Sequence, residues 1–299
     1  MLALTFLIIS SIIGAGFATG AELISFFGSS GLHPLAIAIL VGFFLFVNIF
    51  LIYTLDSRGH KPPPLLFAPI YFVFFIAMTA GIAQIAGIIA SIVALALSIM
   101  IVVFGFDKLL FLNKFIMAFV LVTILIITIP NIHTTYITTT EPNISRALLS
   151  TIIYSGLNSC MLFPIFSKAQ KKYNRKQIKI AIVLSVSIIS FYIYLILSSI
   201  SDGTAMPILA LSNNFFVLST IFLSIFTSQV IALFNISEAT SSKKSNFIEK
   251  LILFSMITFI LSLFGFSQII TYAYPAIAIF MIIYIFVALI SSPKKTTSF

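Results

Sequence analysis

The chain has 299 residues, 61% of them hydrophobic and 8% charged, with a mean hydropathy of +1.22; sixteen basic and seven acidic side chains cannot coat an apolar core of that size, which excludes a water-soluble domain. The net charge of +9 does not point to nucleic acid, because nearly every Lys and Arg falls in a short gap between apolar runs, as topology signals do. The one cysteine, Cys160, excludes an internal disulfide, and His33, His60 and His133 stand apart in polar gaps, so neither a Cys/His metal site nor a cofactor is expected.

A hydrocarbon layer of roughly 30 Å takes about 20 apolar residues per helix. On that rule ten spans are predicted, at 1–27, 34–55, 65–83, 86–105, 109–129, 146–167, 177–200, 213–237, 247–264 and 269–291. The first imitates a secretory signal, yet it lacks a basic leading segment and further spans follow, so it reads as a retained helix. Between spans three and four only "GIAQIAG", Gly81–Gly87, hints at a turn, which leaves nine spans as the alternative count. "HKPPP", His60–Pro64, reads as a stiff loop. The stretch "PNIHTTYITTTEPNIS", 130–145, is the longest polar loop.

Basic residues test the count. With the N-terminus inside, the inner loops receive Arg58, Lys61, Lys108, Lys114, the run from Lys168 to Lys179, Lys243, Lys244, Lys250, Lys294 and Lys295, and only Arg146 of the sixteen falls outside. The expectation is a multi-pass protein of the cell membrane with both termini cytoplasmic. It is all-α, with one transmembrane domain over 1–299: a first five-helix unit at 1–129, a second at 146–291, and a cytoplasmic tail at 292–299.

Span one carries "IIGAGFATGAE", Ile12–Glu22, with Gly14 and Gly16 at its centre. Five spans later "YSGLNSCMLFP", Tyr154–Pro164, interrupts span six with Gly156, Asn158 and Ser159, followed by Pro164. Paired Gly/Pro-interrupted segments at matching positions in two halves point to a transporter site between inverted repeats. Unwinding a helix in lipid frees N–H and C=O groups at a cost of several kcal/mol each, and a solute and a cation can take the vacated places. The predicted solute site is therefore the backbone of Gly14, Ala15, Gly16 and Phe17 with Gly156, Asn158 and Ser159 as counterpart. The competing reading makes Gly14, Ala15, Gly16, Thr19 and Gly20 a small-residue packing surface on an unbroken helix.

Glu22 is the one acid well inside a span. Helical rise sets it about 9 Å beyond the break, toward the outer vestibule or the edge of the site. It is assigned to coupling, as a proton carrier, against a structural hydrogen bond to another helix. Tyr71, Gln84, Tyr272 and Tyr274 are further polar groups within reach of a central cavity, although a tyrosine near a span end is commonly an interface anchor. Asp56, Asp107, Asp202, Glu238 and Glu249 fall at loops or span ends and read as solvated charges.

"GAGFATGAE" followed by "FF", together with the ten-span layout, closely resembles the YkvI family of bacterial membrane proteins, whose first helix carries a GAGFATG signature. The resemblance extends over the chain through "SGLN" and "LFP" in span six, "MPILAL" before span eight, and "GF" then "YAYP" around span ten. It departs where the chain enters span one almost at once, while relatives are expected to carry a longer basic leader. The resemblance implies the amino acid/polyamine/organocation superfamily and its LeuT-type 5+5 inverted repeat, with helices 1 and 6 broken. "FTS", Phe226–Ser228, is similar to the stretch that supplies two hydroxyl ligands to sodium in LeuT-type symporters. The implied ligands are Thr227 and Ser228 with the carbonyls of Ser10 and Ile13, a set that suits a hard cation. Alternatively these hydroxyls bond their own backbone one turn back.

The function expected is secondary active transport, coupled to Na+ or H+, of a small organic solute such as an amino acid. The partners are then that solute, the coupling ion and the lipid bilayer. No ATP-binding loop or nucleophile–base pair supports a pump or an enzyme. The alternatives are a transporter-fold receptor or sensor that binds a solute without net transport, and a structural subunit with continuous first and sixth helices.

Overall fold

The computed structural model describes residues 1–132, 141–199, 207–211, 214–240 and 247–291. The predicted tail 292–299, His133, Asp202, Lys243, Lys244, Lys294 and Lys295 lie outside the described residues. Among the described residues every regular element is helical. Six helices are long and apolar enough to cross a membrane, and a seventh crossing results when one bent pair counts as a single span. The chain is accordingly a multi-pass, all-α membrane protein.

Predicted span 1–27 is three helices: α1 (Leu2–Ile12), α2 (Ala15–Thr19) and α3 (Ala21–Phe27). Ile13 leaves the helical region at ψ 81 and Gly14 is extended at φ −98, ψ −159. Gly20 then takes the left-handed conformation, φ 78, which only glycine adopts without strain, so the chain turns again before Glu22.

α4 (Pro34–Ser57) starts with proline at its first turn, where no N–H is missed, and His33 Nδ1 accepts from Leu35 N–H at 3.2 Å. α5 (Pro64–Phe104) joins predicted spans three and four; no residue at 83–86 leaves the helix, and the break falls later, at Gly87 with φ 85 and ψ 169. The two limbs fold back on each other there. Ser91 Oγ donates to Thr79 O at 3.2 Å, although twelve residues of straight helix would hold them about 18 Å apart. One side chain, Gln229, likewise touches both Thr79 and Ser98. α6 (Phe106–Thr128) begins after Gly105 at φ 86.

Predicted span six is α7 (Ile144–Ser159) and α8 (Leu162–Ala169), bent by 50°. The bend follows from Pro164, which has no N–H for the Cys160 carbonyl four residues back and crowds it with its ring. Helix α7 continues through Gly156, Asn158 and Ser159, so the interruption expected at those residues lies at Cys160–Met161 instead. The chain goes on as α9 (Arg175–Ser199), α10 (Pro207–Leu211), α11 (Phe215–Thr240), α12 (Phe247–Ser262), α13 (Phe266–Gln268) and α14 (Tyr274–Ser291). A π-helical turn, Ile269–Ala273, precedes α14, where Pro275 removes the N–H that an α-helix would direct at Thr271.

α11 is the central helix: 72% of its apolar window is buried, against 28% for α5. Large apolar side chains on the outside, such as Ile39, Phe43, Ile89 and Phe264, form the surface that lipid covers. The ends of the helices sort to two faces. Asp56 Oδ2 accepts from Gln170 Nε2 at 2.6 Å, Lys168 pairs with Glu238 at 2.8 Å, Lys172 pairs with Asp107, and His60 Nε2 lies 2.8 Å from Tyr284 Oη. One face therefore collects the ends of α4, α8 and α11 with the starts of α5 and α6. Asn143 N–H donates to Ser30 O at 2.9 Å, joining the start of α7 to the end of α3 on the other.

Candidate functional site

The end of α1 supplies carbonyls that have lost their backbone partner. Gly14 N–H turns back to Ile12 O at 3.0 Å, so the Ser10 carbonyl loses the N–H that an unbroken helix would bring to it. On α11, Ser224 and Ser228 stand one turn apart on one face. Ser228 Oγ lies 2.8 Å from Ser10 O, 3.0 Å from Ile13 O and 3.1 Å from Ser224 O, and Ser224 Oγ donates to Ile13 O at 3.1 Å. Two hydroxyl protons, those of Ser224 and Ser228, thus face four oxygens, counting both Oγ atoms with the carbonyls of Ser10 and Ile13. Lone pairs exceed protons in a buried place, which is a donor set for a hard cation that needs no formal charge.

Three of the four predicted ion ligands, Ser10, Ile13 and Ser228, come together; Thr227 does not. One residue before Ser228 it points about 100° around the helix, donating to Ser224 O at 2.9 Å with Met117 Sδ at 3.7 Å. Ser224 takes its place. The four-residue spacing from Ser228 was the signal for it.

Space is short at both glycines of the break, at Gly14 against the flexible end of Met78 and at Gly16 against Glu22, whose Cβ would lie 2.7 Å from an added one. A Cβ at Gly14 would sit 2.8 Å from Met78 Cε, and one at Gly16 would sit 2.6 Å from Glu22 Oε2. Met78, on the first limb of α5, fills the gap and its Sδ accepts the Ala15 N–H at 3.4 Å. Phe17 is fully buried, and its carbonyl accepts the Gly20 N–H at 3.0 Å.

Glu22 does not stand about 9 Å beyond the break, as straight helical rise would set it. The left-handed turn at Gly20 folds it back over Gly16, where it is 3% exposed and its Oε1 accepts Asn158 Nδ2 at 3.2 Å. Straight helical rise fails here because the helix is broken twice. Glu22 and Asn158 line a cavity of only ≈ 10 Å³ together with Gly14, Phe74, Tyr274 and Ser228, space on the order of one water. An ionised carboxylate buried alone costs several kcal/mol. The N-terminal turn of α3 returns about 2 kcal/mol at most. One amide donor adds about 1.5–3 kcal/mol. Among the described residues no Lys, Arg or His approaches Glu22 within salt-bridge distance, so its natural completion is a cation or a proton.

Of the remaining predicted residues, Gly156 is a packing glycine: a Cβ would sit 2.9 Å from Ile282 Cγ1 and 3.2 Å from Ala278 O on α14. Ser159 bonds its own helix, donating to Gly156 O at 3.0 Å. Tyr71 and Tyr274 are buried, and their hydroxyls have no partner among the described residues. Gln84 is exposed near the Gly87 turn and Tyr272 is 77% exposed, so neither reaches the cavity.

Two residues carry weight that their sequence context did not signal. Gln229 links the limbs of α5, accepting from Ser98 Oγ at 3.1 Å and donating to Thr79 Oγ1 at 2.9 Å, one residue from Ser228. Asn235 Nδ2 donates to Met161 O at 2.8 Å, replacing a helical partner at the α7–α8 bend. The chain was compared with models of known protein families and with curated proteins, and neither comparison returned a match.

Proposed function

We propose that this chain is a secondary active transporter of the cell membrane that moves a small organic solute, an amino acid being one candidate class, by alternating access and with Na+ or H+ as the coupling ion. The same proposal includes ten spans in a LeuT-type 5+5 inverted repeat, with α1–α3 as helix 1, α7–α8 as helix 6, the two limbs of α5 as helices 3 and 4, and cytoplasmic termini. Membership of the YkvI family belongs to it as well, on the resemblance carried by GAGFATG.

The observation that carries the reading is the meeting of the open carbonyls of Ser10 and Ile13 with the hydroxyls of Ser224 and Ser228 at a helix break. A structural subunit has no use for carbonyls that leave the helix ladder and rest on side-chain hydroxyls. A carrier does: the ion binds only when α1, α2 and α11 are in register, so occupancy and conformation become linked. Glu22, beside the break and without a cationic partner, is the corresponding group for proton coupling. The bend at Cys160–Met161 and the break at Ile13–Gly14 are the two places where α8 and α1 can swing against the rest.

Counterflow in proteoliposomes tests the proposal. Vesicles loaded with unlabelled amino acids or amines should accumulate the matching labelled solute, and Ser228→Ala should slow that exchange at least tenfold in sodium. A solute that stabilises the purified protein yet is never exchanged would assign the fold to a receptor.

A further inference from the structure

Three buried tyrosines surround the neighbourhood of Glu22 with idle oxygens. Tyr71, Tyr154 and Tyr274 are each at most 1% exposed, and among the described residues none of their Oη atoms has a hydrogen-bond partner. A buried phenol oxygen left without a partner is costly, and a water or a passing proton gives it one.

Two of the three lead from Glu22 toward the lysine-rich face. Glu22 Oε1 accepts from Asn158, and Tyr274 lines the ≈ 10 Å³ cavity that Glu22 also borders; that space suits one water between the carboxyl and Tyr274 Oη. The Tyr274 ring packs 5.3 Å from that of Phe74, and Tyr71 stands one turn before Phe74, toward the start of α5. Cys160 is within electrostatic reach of both tyrosines, and Tyr71 is within reach of Tyr284. The rings of Tyr71 and Tyr284 both pack on Phe67, at 5.9 and 4.7 Å. Tyr284 Oη then meets His60 Nε2 at 2.8 Å, and His60 is half-buried at the lysine-rich face.

The opposite side is closed by apolar rings. Phe26 and Phe27, at the end of α3, each pack edge-on against Tyr154 at 5.4 Å. Among the described residues the titratable side chains that Glu22 acts on are Tyr154 from α7 and Tyr274 from α14. From α5 and α11 it meets Phe74, Met78 and Ser228, none of them titratable.

We propose, on the reading of this chain as a carrier, that Tyr274, Tyr71, Tyr284 and His60 form the path by which Glu22 exchanges a proton with the lysine-rich face. The transfer is a relay that leaves every tyrosine neutral. Glu22 gives its proton to the cavity water, that water passes one of its own to Tyr274 Oη, and each phenol accepts a proton at oxygen as it releases the one it held. His60 takes the last on one ring nitrogen and returns one to solvent from the other. Because Phe26 and Phe27 bar the other direction, Glu22 is open to protons from one side only, as alternating access of a coupling ion requires.

Infrared spectroscopy of the purified full chain in detergent reads the path. In acid the protonated Glu22 carboxyl gives a carbonyl band, identified by its loss in Glu22→Gln or, if that variant does not fold, by its displacement in Glu22→Asp. Transfer into heavy water shifts the band as O–H becomes O–D, and the rate of that shift is the rate at which protons reach Glu22. Tyr71→Phe, Tyr274→Phe and Tyr284→Phe should each slow it at least tenfold, and Tyr154→Phe should leave it unchanged. Tm should stay level or rise in Tyr71→Phe and Tyr274→Phe, since the oxygen removed has no partner. A variant that merely loosens the packing admits solvent and speeds deuteration, so slowing marks a broken path. The proposal is overturned if no Glu22 band appears at any pH at which the protein is folded, if deuteration in Tyr71→Phe and Tyr274→Phe is as fast as in wild type, or if Tyr154→Phe slows it as much. Counterflow separates this from the carrier reading: slowed deuteration in a protein that exchanges no solute would keep the path and remove the carrier, while solute exchange with deuteration indifferent to the tyrosines would do the reverse.

Discussion

Asn158 donates to Glu22 Oε1 at 3.2 Å across 136 positions of sequence, so the carboxyl beside the first break is held by the helix that leads into the second bend. Both side chains are buried, Glu22 at 3% and Asn158 at 4% exposure. Removing one partner of a buried hydrogen bond to a charged group costs more than the bond is worth, because the other keeps its desolvation penalty. Asn158→Ala should therefore destabilise the protein by about 1–3 kcal/mol. Asn158→Asp should be worse, through like charge, and Glu22→Gln should rescue it by restoring an amide–carboxylate pair in reverse. A double-mutant cycle in detergent measures this; coupling near zero would mean that the contact carries no energy.

The oxygen cluster makes a sharper prediction about which hydroxyls matter. Sodium should raise Tm in wild type, as any ligand of the folded state does. Ser228→Ala and Ser224→Ala should each abolish that rise, while Thr227→Val should keep it, because Thr227 faces Ser224 O and Met117. Equal loss in Thr227→Val would return the site to the ligands expected from "FTS".

Those two sites mark where sequence is informative and where it stops. Among the described residues the apolar runs marked the long helices to within a few residues, α5 excepted, where two predicted spans are one helix broken at Gly87. Gly87 was visible within "GIAQIAG", but not as the residue that folds α5 back. Glu22 was placed about 9 Å beyond the break and lies against Gly16 instead, because the distance was counted on a straight helix while Gly20 turns the chain at φ 78. Gly156 drew attention as a breaker although it is the contact point with Ile282 and Ala278. Glycine has several roles with one letter, and only the neighbour across the interface distinguishes them. Pro164 sets its bend four residues upstream, at Cys160, by a rule that sequence does carry.

Gly16 and Gly20 should respond differently to alanine. At Gly16 the added methyl meets Glu22 Oε2 at 2.6 Å and Cβ at 2.7 Å, so Gly16→Ala should displace the carboxyl and remove any ligand response that depends on it while leaving the fold largely intact. At Gly20 the obstacle is conformational, since φ is 78, and Gly20→Ala should cost about 1–2 kcal/mol. Gly20→Asn should be milder, because asparagine tolerates the left-handed region. Unfolding measurements and ligand-induced Tm shifts on the three variants separate the two effects.

The ties at the end of α8 set the last prediction. Lys168–Glu238 at 2.8 Å is about one-third exposed on each side, and such a pair contributes about 0–1 kcal/mol to stability. Gln170 adds its bond to Asp56 at 2.6 Å. Together they hold α8 to α11 and α4, so weakening them should leave the fold almost as stable and make it easier for α8 to swing about Cys160–Met161. Cys160 reports that swing, since it is the only cysteine in the chain and is fully buried at the bend. Alkylation by N-ethylmaleimide should be slow in wild type and several-fold faster in Lys168→Ala and in Lys168→Ala with Gln170→Ala, with Tm little changed. If labelling stays as slow while the ion pair is gone, α8 does not move on that hinge, and the opening toward the lysine-rich face has to come from another element.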